Sequence, residues 1–324
     1  LKQHAIRHPW IEMKGKFATL VRRGFHAYRN SPIRIGHSFI RRVFDPMLDR
    51  EQDIQLRSGL KLHLDMSKGN QNAIFWHDGD VDVAQHWAIR ELVPMGGTFL
   101  DCGANCGLMG LQARRQRQTK VIFFEPHPRL AKSIADNIAL NDFQPSCELI
   151  EAAVSSQSGE ISFYEDSRND GSHAIQPPSE RERDFVPLGK VRCVSLKEII
   201  EARQLSKIHF LKIDTEGNDY PVLQGLGEYL SPSQVEIIYV EMTRDQAGIC
   251  DLMRSRGYTA FAKKDLARRQ TAQRQKFYER GGSVAFFEPL ADAAIGSGDV
   301  LWCGQNSPVA LHLNELHRLA PAIG

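Results

Sequence analysis

No stretch of this chain reaches the roughly 18 to 20 consecutive apolar residues that a membrane span needs, and none pairs a short apolar core with a small-residue cleavage site. The sequence therefore predicts a soluble, cytoplasmic protein. The cysteines Cys102, Cys106, Cys147, Cys193, Cys250 and Cys303 include no CxxC pair and have no histidines at zinc-finger spacing, which argues for free thiols in a reducing compartment. Internal repeats are missing, which excludes a solenoid. A formal net charge of +2 is too mild to imply a nucleic-acid partner. The NPPY or DPPY tetrad of enzymes that work on extruded bases is missing as well.

What is present fits a globular chain of 324 residues, 42% apolar and 25% charged, able to bury a sizeable core. Charge is unevenly spread. The first fifty residues carry Lys2, Arg7, Lys14, Lys16, Arg22, Arg23, Arg29, Arg34, Arg41, Arg42 and Arg50 against Glu12, Asp45 and Asp49. Apolar residues such as Trp10, Phe17 and Phe25 among them fit one or two amphipathic helices. This segment is expected to be a basic, helical extension that meets solvent, a second copy of the chain or the anionic surface of a membrane. Ile54, Leu56, Leu60, Leu62 and Leu64 then alternate with polar residues around Ser58 and Gly59, the period of a hairpin.

From Thr98 onward, short apolar runs at 98–101, 121–125, 147–154, 209–214 and 235–241 read as buried strands. Helical patterns separate them, notably 128–140 and 221–230. Such alternation predicts a mostly parallel sheet with helices on both faces. Runs at 258–262, 284–287 and 300–303 suggest closing strands that supply an antiparallel edge. Segments 168–190 and 263–280 are polar and long for simple connections, so they are expected to be lids or irregular insertions.

The strongest local signal is Phe99-Leu100-Asp101-Cys102-Gly103-Ala104-Asn105-Cys106-Gly107, a strand that ends in an acid and a glycine turn leading into a helix. Such a turn allows close approach of a ligand to the backbone, beside the free N–H groups of a helix start. It is not the dinucleotide fingerprint G-x-G-x-x-G, because Asn105 stands at the second glycine position. The next strand, Val121 to Phe124, leads to Glu125 and Pro126. A carboxylate there can accept both hydroxyls of a nucleoside ribose; its alternative role is to cap the helix that starts at Pro128. Lys212, in an otherwise apolar strand, requires a carboxylate partner.

Asp101–Gly107 (DCGANCG), Phe124–His127 (FEPH), Asn137–Asn141 (NIALN), Leu211–Gly217 (LKIDTEG) and Val240-Glu241 follow the order and approximate spacing of the FkbM methyltransferase family, which residues 50–305 resemble. The resemblance implies a Rossmann-like class I methyltransferase fold: α/β, with a mostly parallel seven-stranded sheet, helices on both faces and a helical N-terminal extension. Residues 1–50 would form that extension, 51–305 the methyltransferase domain and 306–324 a C-terminal tail. It further implies S-adenosylmethionine as cofactor and a hydroxyl of a sugar, glycan or other metabolite as acceptor. Asp101, Gly103, Asn105 and Gly107 would line its methionine side, with Ala104 alongside. Glu125 would hold the ribose, next to Pro126, and Ala152 and Ala153 would approach the adenine. The chain departs from the family at Glu216-Gly217-Asn218-Asp219, at Leu196-Lys197, and upstream, where Asp80 and Asp82 stand in for an expected acid.

Methyl transfer to a hydroxyl gains from a positioned base. Asp214 is the first candidate, with Glu216 next and His173 as a base carried on a loop. Asp214, Glu216 and Glu241 are alternatively a ligand set for a magnesium ion. The bland alternative is that Asp214 and Glu216 merely hold loops through backbone N–H groups. Trp76, His77 and Trp87 are either an aromatic wall for a sugar face or core.

Overall fold

A computed structural model of the 324-residue chain describes residues 20, 21, 24, 37–168, 171–177, 179–265, 274, 275, 278, 282, 284–290 and 298–319. Most of residues 1–36, where further helices of the N-terminal extension are expected, and most of segment 263–280 lie outside that set. The chain divides into two compact units, residues 1–81 and 82–324.

In the first unit, helix α1 (His37–Phe44) precedes the antiparallel hairpin of β1 (Glu51–Gln55) and β2 (Lys61–Asp65), and helix α2 (Gly69–His77) follows. Hairpin register pairs Ile54 with Leu62, and the leucines that alternate in sequence are the buried ones. Trp76 is fully buried and donates its indole N–H to Asp45 Oδ1 at 2.6 Å, which makes it core rather than a ligand wall.

The second unit opens with α3 (Val83–Leu92), capped by the Asp82 carboxylate, which accepts the Gln85 amide. Trp87 of this helix is buried against Phe286 and Phe287, and so is core as well. There follow β3 (Thr98–Cys102), α4 (Leu108–Arg117), β4 (Lys120–Phe124), α5 (Pro128–Leu140), β5 (Cys147–Ile150), β6 (Ala153–Val154), β7 (Gly159–Asp166), β8 (Phe185–Val194), α6 (Leu196–Arg203), β9 (Phe210–Ile213), α7 (Asp219–Gln224), β10 (Ile237–Met242), α8 (Gln246–Ser255), β11 (Tyr258–Lys263), β12 (Phe287–Pro289), β13 (Gly298–Gly304) and α9 (Pro308–Leu319).

The main sheet has the order β12-β11-β13-β10-β9-β3-β4-β5. From β10 to β5 all neighbours are parallel. These strands are nearly continuous apolar runs because both faces are covered. Strand order runs outward from β3 in both directions, so right-handed crossovers place the connecting helices on opposite faces. The reversal point lies at β3 and β9, the crevice where open α/β sheets take ligands. β13 inserts antiparallel between β10 and β11, and β12 adds a three-residue eighth strand at the edge. The architecture is the expected Rossmann-like one.

Two expectations need correction. The run 147–154 is not one strand: the Ala152 amide turns back to Ile150 O at 2.8 Å, so β5 joins the main sheet while β6 pairs with β8 in a second sheet, β6-β8-β7. Segment 168–190 is not wholly irregular either. Ser179–Asp184 is a 3-10 turn, and from Phe185 the chain is strand β8, paired with β7 but exposed at most positions, which explains its polar composition.

Candidate active site

The turn between β3 and α4 is shaped by close packing. Gly103 has φ +73°, and a Cβ there would lie 1.8 Å from Asp214 O, so only glycine lets this turn touch the end of β9. Backbone amides from Gly103 to Gly107 are all engaged within the fold, by Phe124 O, Glu125, Asn105 Oδ1 and Ala104 O. At these positions the turn offers shape and van der Waals access rather than the open N–H donors the sequence suggests. Asp101, 0% exposed, accepts the Gly110 amide at Oδ2 (3.0 Å) and fixes the first turn of α4 to its own strand.

Glu125 is buried where β4 ends. Its Oε2 accepts the Asn105 amide at 2.8 Å and its Oε1 the His127 amide at 2.9 Å, so one carboxylate joins two loops. Burial pushes its pKa up to about 7 against those two hydrogen bonds. The helix that begins at Pro128 is capped by His127 instead, whose side chain accepts the Arg129 amide. The capping alternative for Glu125 therefore falls away. Ala104, Ala152 and Ala153 are buried, and Pro126 is partly exposed.

Lys212 finds the partners its burial demands. Its ammonium lies 3.4 Å from Asp101 Oδ1 and 3.1 Å from Asp214 Oδ2, and donates to Gly103 O at 3.0 Å. The two carboxylates hold it charged, raising its pKa against the cost of burial. One cation thus ties the glycine turn, the end of β3 and the end of β9 together.

Beyond β9 the carboxylates crowd. Asp214, Glu216 and Glu241 each place an oxygen within 4.8 Å of the other two. Asp214 shares a hydrogen bond with Glu241 and is held low by Lys212, while Glu241 is pushed up to about 9, chiefly by Asp214. Burial, then Asp214 and Asp219, lift Glu216 to about 8, with Lys212 and then Arg181 opposing. Glu216 sits at φ +54°, a costly conformation for a glutamate, ahead of Gly217 at φ +95°. Asp219, 1% exposed, accepts both the amide (3.1 Å) and the hydroxyl (2.7 Å) of Thr215, and Asn218 donates to Val154 O at 2.7 Å. These contacts fix the Asp214–Asp219 loop. The all-oxygen donor set suits a hard cation such as magnesium, although the Lys212 ammonium and the shared proton already offset much of the negative charge.

The structure thus brings Asp101, Gly103 and Asp214 together through Lys212, and Asp214, Glu216 and Glu241 through their carboxylates. His173 is elsewhere: it stacks on His127, with ring centroids 4.5 Å apart. Of the two acids upstream, Asp82 meets Lys263 at 2.8 Å and Tyr239 OH at 3.3 Å, and Lys263 also meets Asp299 at 2.5 Å. Asp80 pairs with Arg57 in the first unit at 3.6 Å. Sequence reasoning missed Asp219, His127 and Arg181; the first two lie inside motifs already singled out, and Arg181 gave no signal. None of the six cysteines is in a disulfide, and Cys102 and Cys106 are packed inside the turn.

Residues 101–260 match the methyltransferase FkbM domain. A methyltransferase of Sordaria araneosa, sdnD, is 25% identical over 162 residues, which span 42% of this chain and 62% of that protein. Among solved structures, the methyltransferase FkbM of Methylobacillus flagellatus KT aligns with a TM-score of 0.39 at 10% identity, over 64% of this chain and 43% of that one. M. jannaschii TYW2 in complex with AdoMet aligns with a TM-score of 0.39 at 11% identity, over 79% and 85%. The match runs from Asp101 in β3 into β11 and holds Glu125, His127, Lys212, Asp214, Glu216, Asp219 and Glu241, so the stretch that carries the crowded acids is the one similar to the methyltransferase FkbM domain.

Proposed function

We propose that this protein is an S-adenosylmethionine-dependent O-methyltransferase whose acceptor is a hydroxyl of a sugar, glycan or other hydroxylated metabolite. The observation that carries the reading is the buried Glu125 carboxylate beside the β3 turn, with the Lys212-held acids at the end of β9 across the sheet's reversal point. Glu125 accepts the ribose hydroxyls, and the glycine turn lets the amino-acid end of the cofactor approach the backbone.

S-adenosylmethionine, when bound, would supply an electrophilic sulfonium methyl group to the acceptor oxygen, with the C–S electron pair staying on sulfur. The acceptor proton needs a base whose pKa lies near the working pH. Glu216, at about 8, meets that condition better than Asp214, which Lys212 holds low. Asp214 then acts as the fixed charge that sets the pKa values of its two neighbours. Magnesium at Asp214, Glu216 and Glu241 would lower the hydroxyl pKa instead, and insensitivity of the reaction to EDTA would remove that role. The crowded acids also favour a cationic amine as acceptor, so N-methylation is the second reading.

The test is transfer from methyl-labelled S-adenosylmethionine into a metabolite and glycan extract, with the product identified by mass spectrometry. The expected result is a labelled methyl ether, a rate that rises with pH towards a plateau above about 8, and a loss of about 10²- to 10⁴-fold in Glu216→Gln. A labelled amine would establish the second reading. Cofactor binding with no transfer to any extract would leave a catalytically silent binding or scaffolding protein.

A further inference from the structure

One cluster of buried polar atoms has no part in that chemistry. His127 accepts the Arg129 amide at Nδ1 (3.2 Å), and His173, between β7 and β8, accepts the Asp166 amide at Nδ1 (3.1 Å). A backbone N–H can only donate, so each Nδ1 presents its lone pair and each neutral ring carries its proton at Nε2. Burial lowers both pKa values, that of His173 to about 4, and keeps the rings neutral near pH 7. Both Nε2 atoms are buried and have no hydrogen-bond partner among the described residues. The partly exposed Glu165 holds an oxygen 3.6 Å from His127 Nε2, too far for a hydrogen bond.

An atom from each of His127, Glu165 and His173 lies within 4.8 Å of the other two. Three atoms no farther apart than that leave a point about 2.8 Å from each, the ordinary hydrogen-bond distance to an oxygen. A transition metal fits poorly. It needs nitrogen lone pairs at about 2.0–2.1 Å, and moving the ring protons to Nδ1 to free them would set N–H against N–H at two backbone amides. A bare anion fits poorly too, because Glu165 already brings a negative charge. Two N–H donors beside one carboxylate acceptor complement an alcohol group, which accepts twice and donates once.

We propose that His127, His173 and Glu165 form a subsite for an alcohol hydroxyl, whose oxygen accepts from the two Nε2–H groups and whose hydrogen is donated to Glu165. The pairing of two N–H donors with one carboxylate acceptor makes the ligand class a neutral alcohol or polyol. Its placement ties it to the transfer site at both ends. His127 follows Glu125 by two residues. The Asp166 that positions His173 is ion-paired at 2.5 Å with Arg181, which with the stronger Lys212 is one of two cations that act on Glu216. Two sources offer this hydroxyl, the cofactor ribose and a sugar acceptor, and only their naming rests on the methyl-transfer reading.

Long-range proton–nitrogen NMR of the histidine-labelled chain tests the subsite, with S-adenosylhomocysteine as one probe and glucose, with and without it, as the other. Expected are Nε2–H tautomers in both rings before any addition and movement of both Nε2 signals in at least one arm. His173→Phe, which keeps a stacked ring but has no N–H, and the surface change Glu165→Gln should each weaken that arm about tenfold. Movement with S-adenosylhomocysteine assigns the ribose; movement with glucose alone assigns the acceptor. An Nδ1–H tautomer, silence in both arms or displacement of the Nε2 protons by Zn²⁺ would overturn the proposal. Failure of S-adenosylhomocysteine to bind at all would count against the cofactor reading, while the tautomers and the glucose arm still decide this one.

Discussion

At the scale of single residues, Lys212 carries the most. It is buried with two carboxylates on one side and a carbonyl on the other, and breaking a buried ion pair by removing one partner costs far more than the pair itself contributes. Lys212→Met should lower stability by about 3–5 kcal/mol, read from urea unfolding, because Asp101 and Asp214 would be left facing each other without a cation. A loss below about 1 kcal/mol, the range of an exposed pair, would mean the ammonium is solvated after all. Glu125 makes the complementary prediction. Its carboxyl titrates near 7 rather than near 4.5, and only the anion can accept two ribose hydroxyls. Affinity for S-adenosylhomocysteine should therefore be full above about pH 8 and fall by about tenfold per pH unit below 7. A carboxyl with the ordinary pKa would keep its affinity down to about pH 5.

At the scale of elements, the glycines of the β3–α4 unit divide by what they touch. At Gly110, in the first turn of α4, an added Cβ would meet the buried Phe123 ring at 2.3 Å and Val121 at 2.9 Å, side chains rather than backbone; at Gly103 it would meet backbone at 1.8 Å with φ positive. Gly110→Ala should cost about 1–3 kcal/mol through overpacking between α4 and β4. Gly103→Ala should cost more and abolish ligand binding even where the chain still folds. Equal losses in thermal unfolding would show that the turn is less constrained than its geometry implies. The same elements show what sequence can reveal. β3, β4, β9 and β10 were legible because strands buried on both faces must be apolar, and α5 because Pro128 opens it. β8 was not, since an exposed antiparallel strand owes its stability to backbone pairing and has no apolar signature. The break between β5 and β6 was hidden for the opposite reason, because both halves are apolar.

At the scale of the whole molecule, the sequence located the site by its motifs but not the relations within it. Asp101, Glu125, Lys212 and Asp214 could be named from strand ends. That Lys212 links Asp101 to Asp214, or that Asp214 raises Glu241 and Glu216, depends on which strands are neighbours, and β3 and β9 are a hundred residues apart in the chain. His173 illustrates the converse: as a loop histidine it read as a base, yet folding buries it on His127 with its reactive nitrogen lone pair already committed. The central claim is that the crevice at β3 and β9 is a nucleoside-cofactor site, and the most direct test is calorimetric titration with S-adenosylhomocysteine at about pH 8, where Glu125 is ionised. Saturable binding in the wild type, weakened at least about tenfold in a folded Glu125→Gln variant, is the predicted result; no binding, or binding indifferent to Glu125, would contradict it.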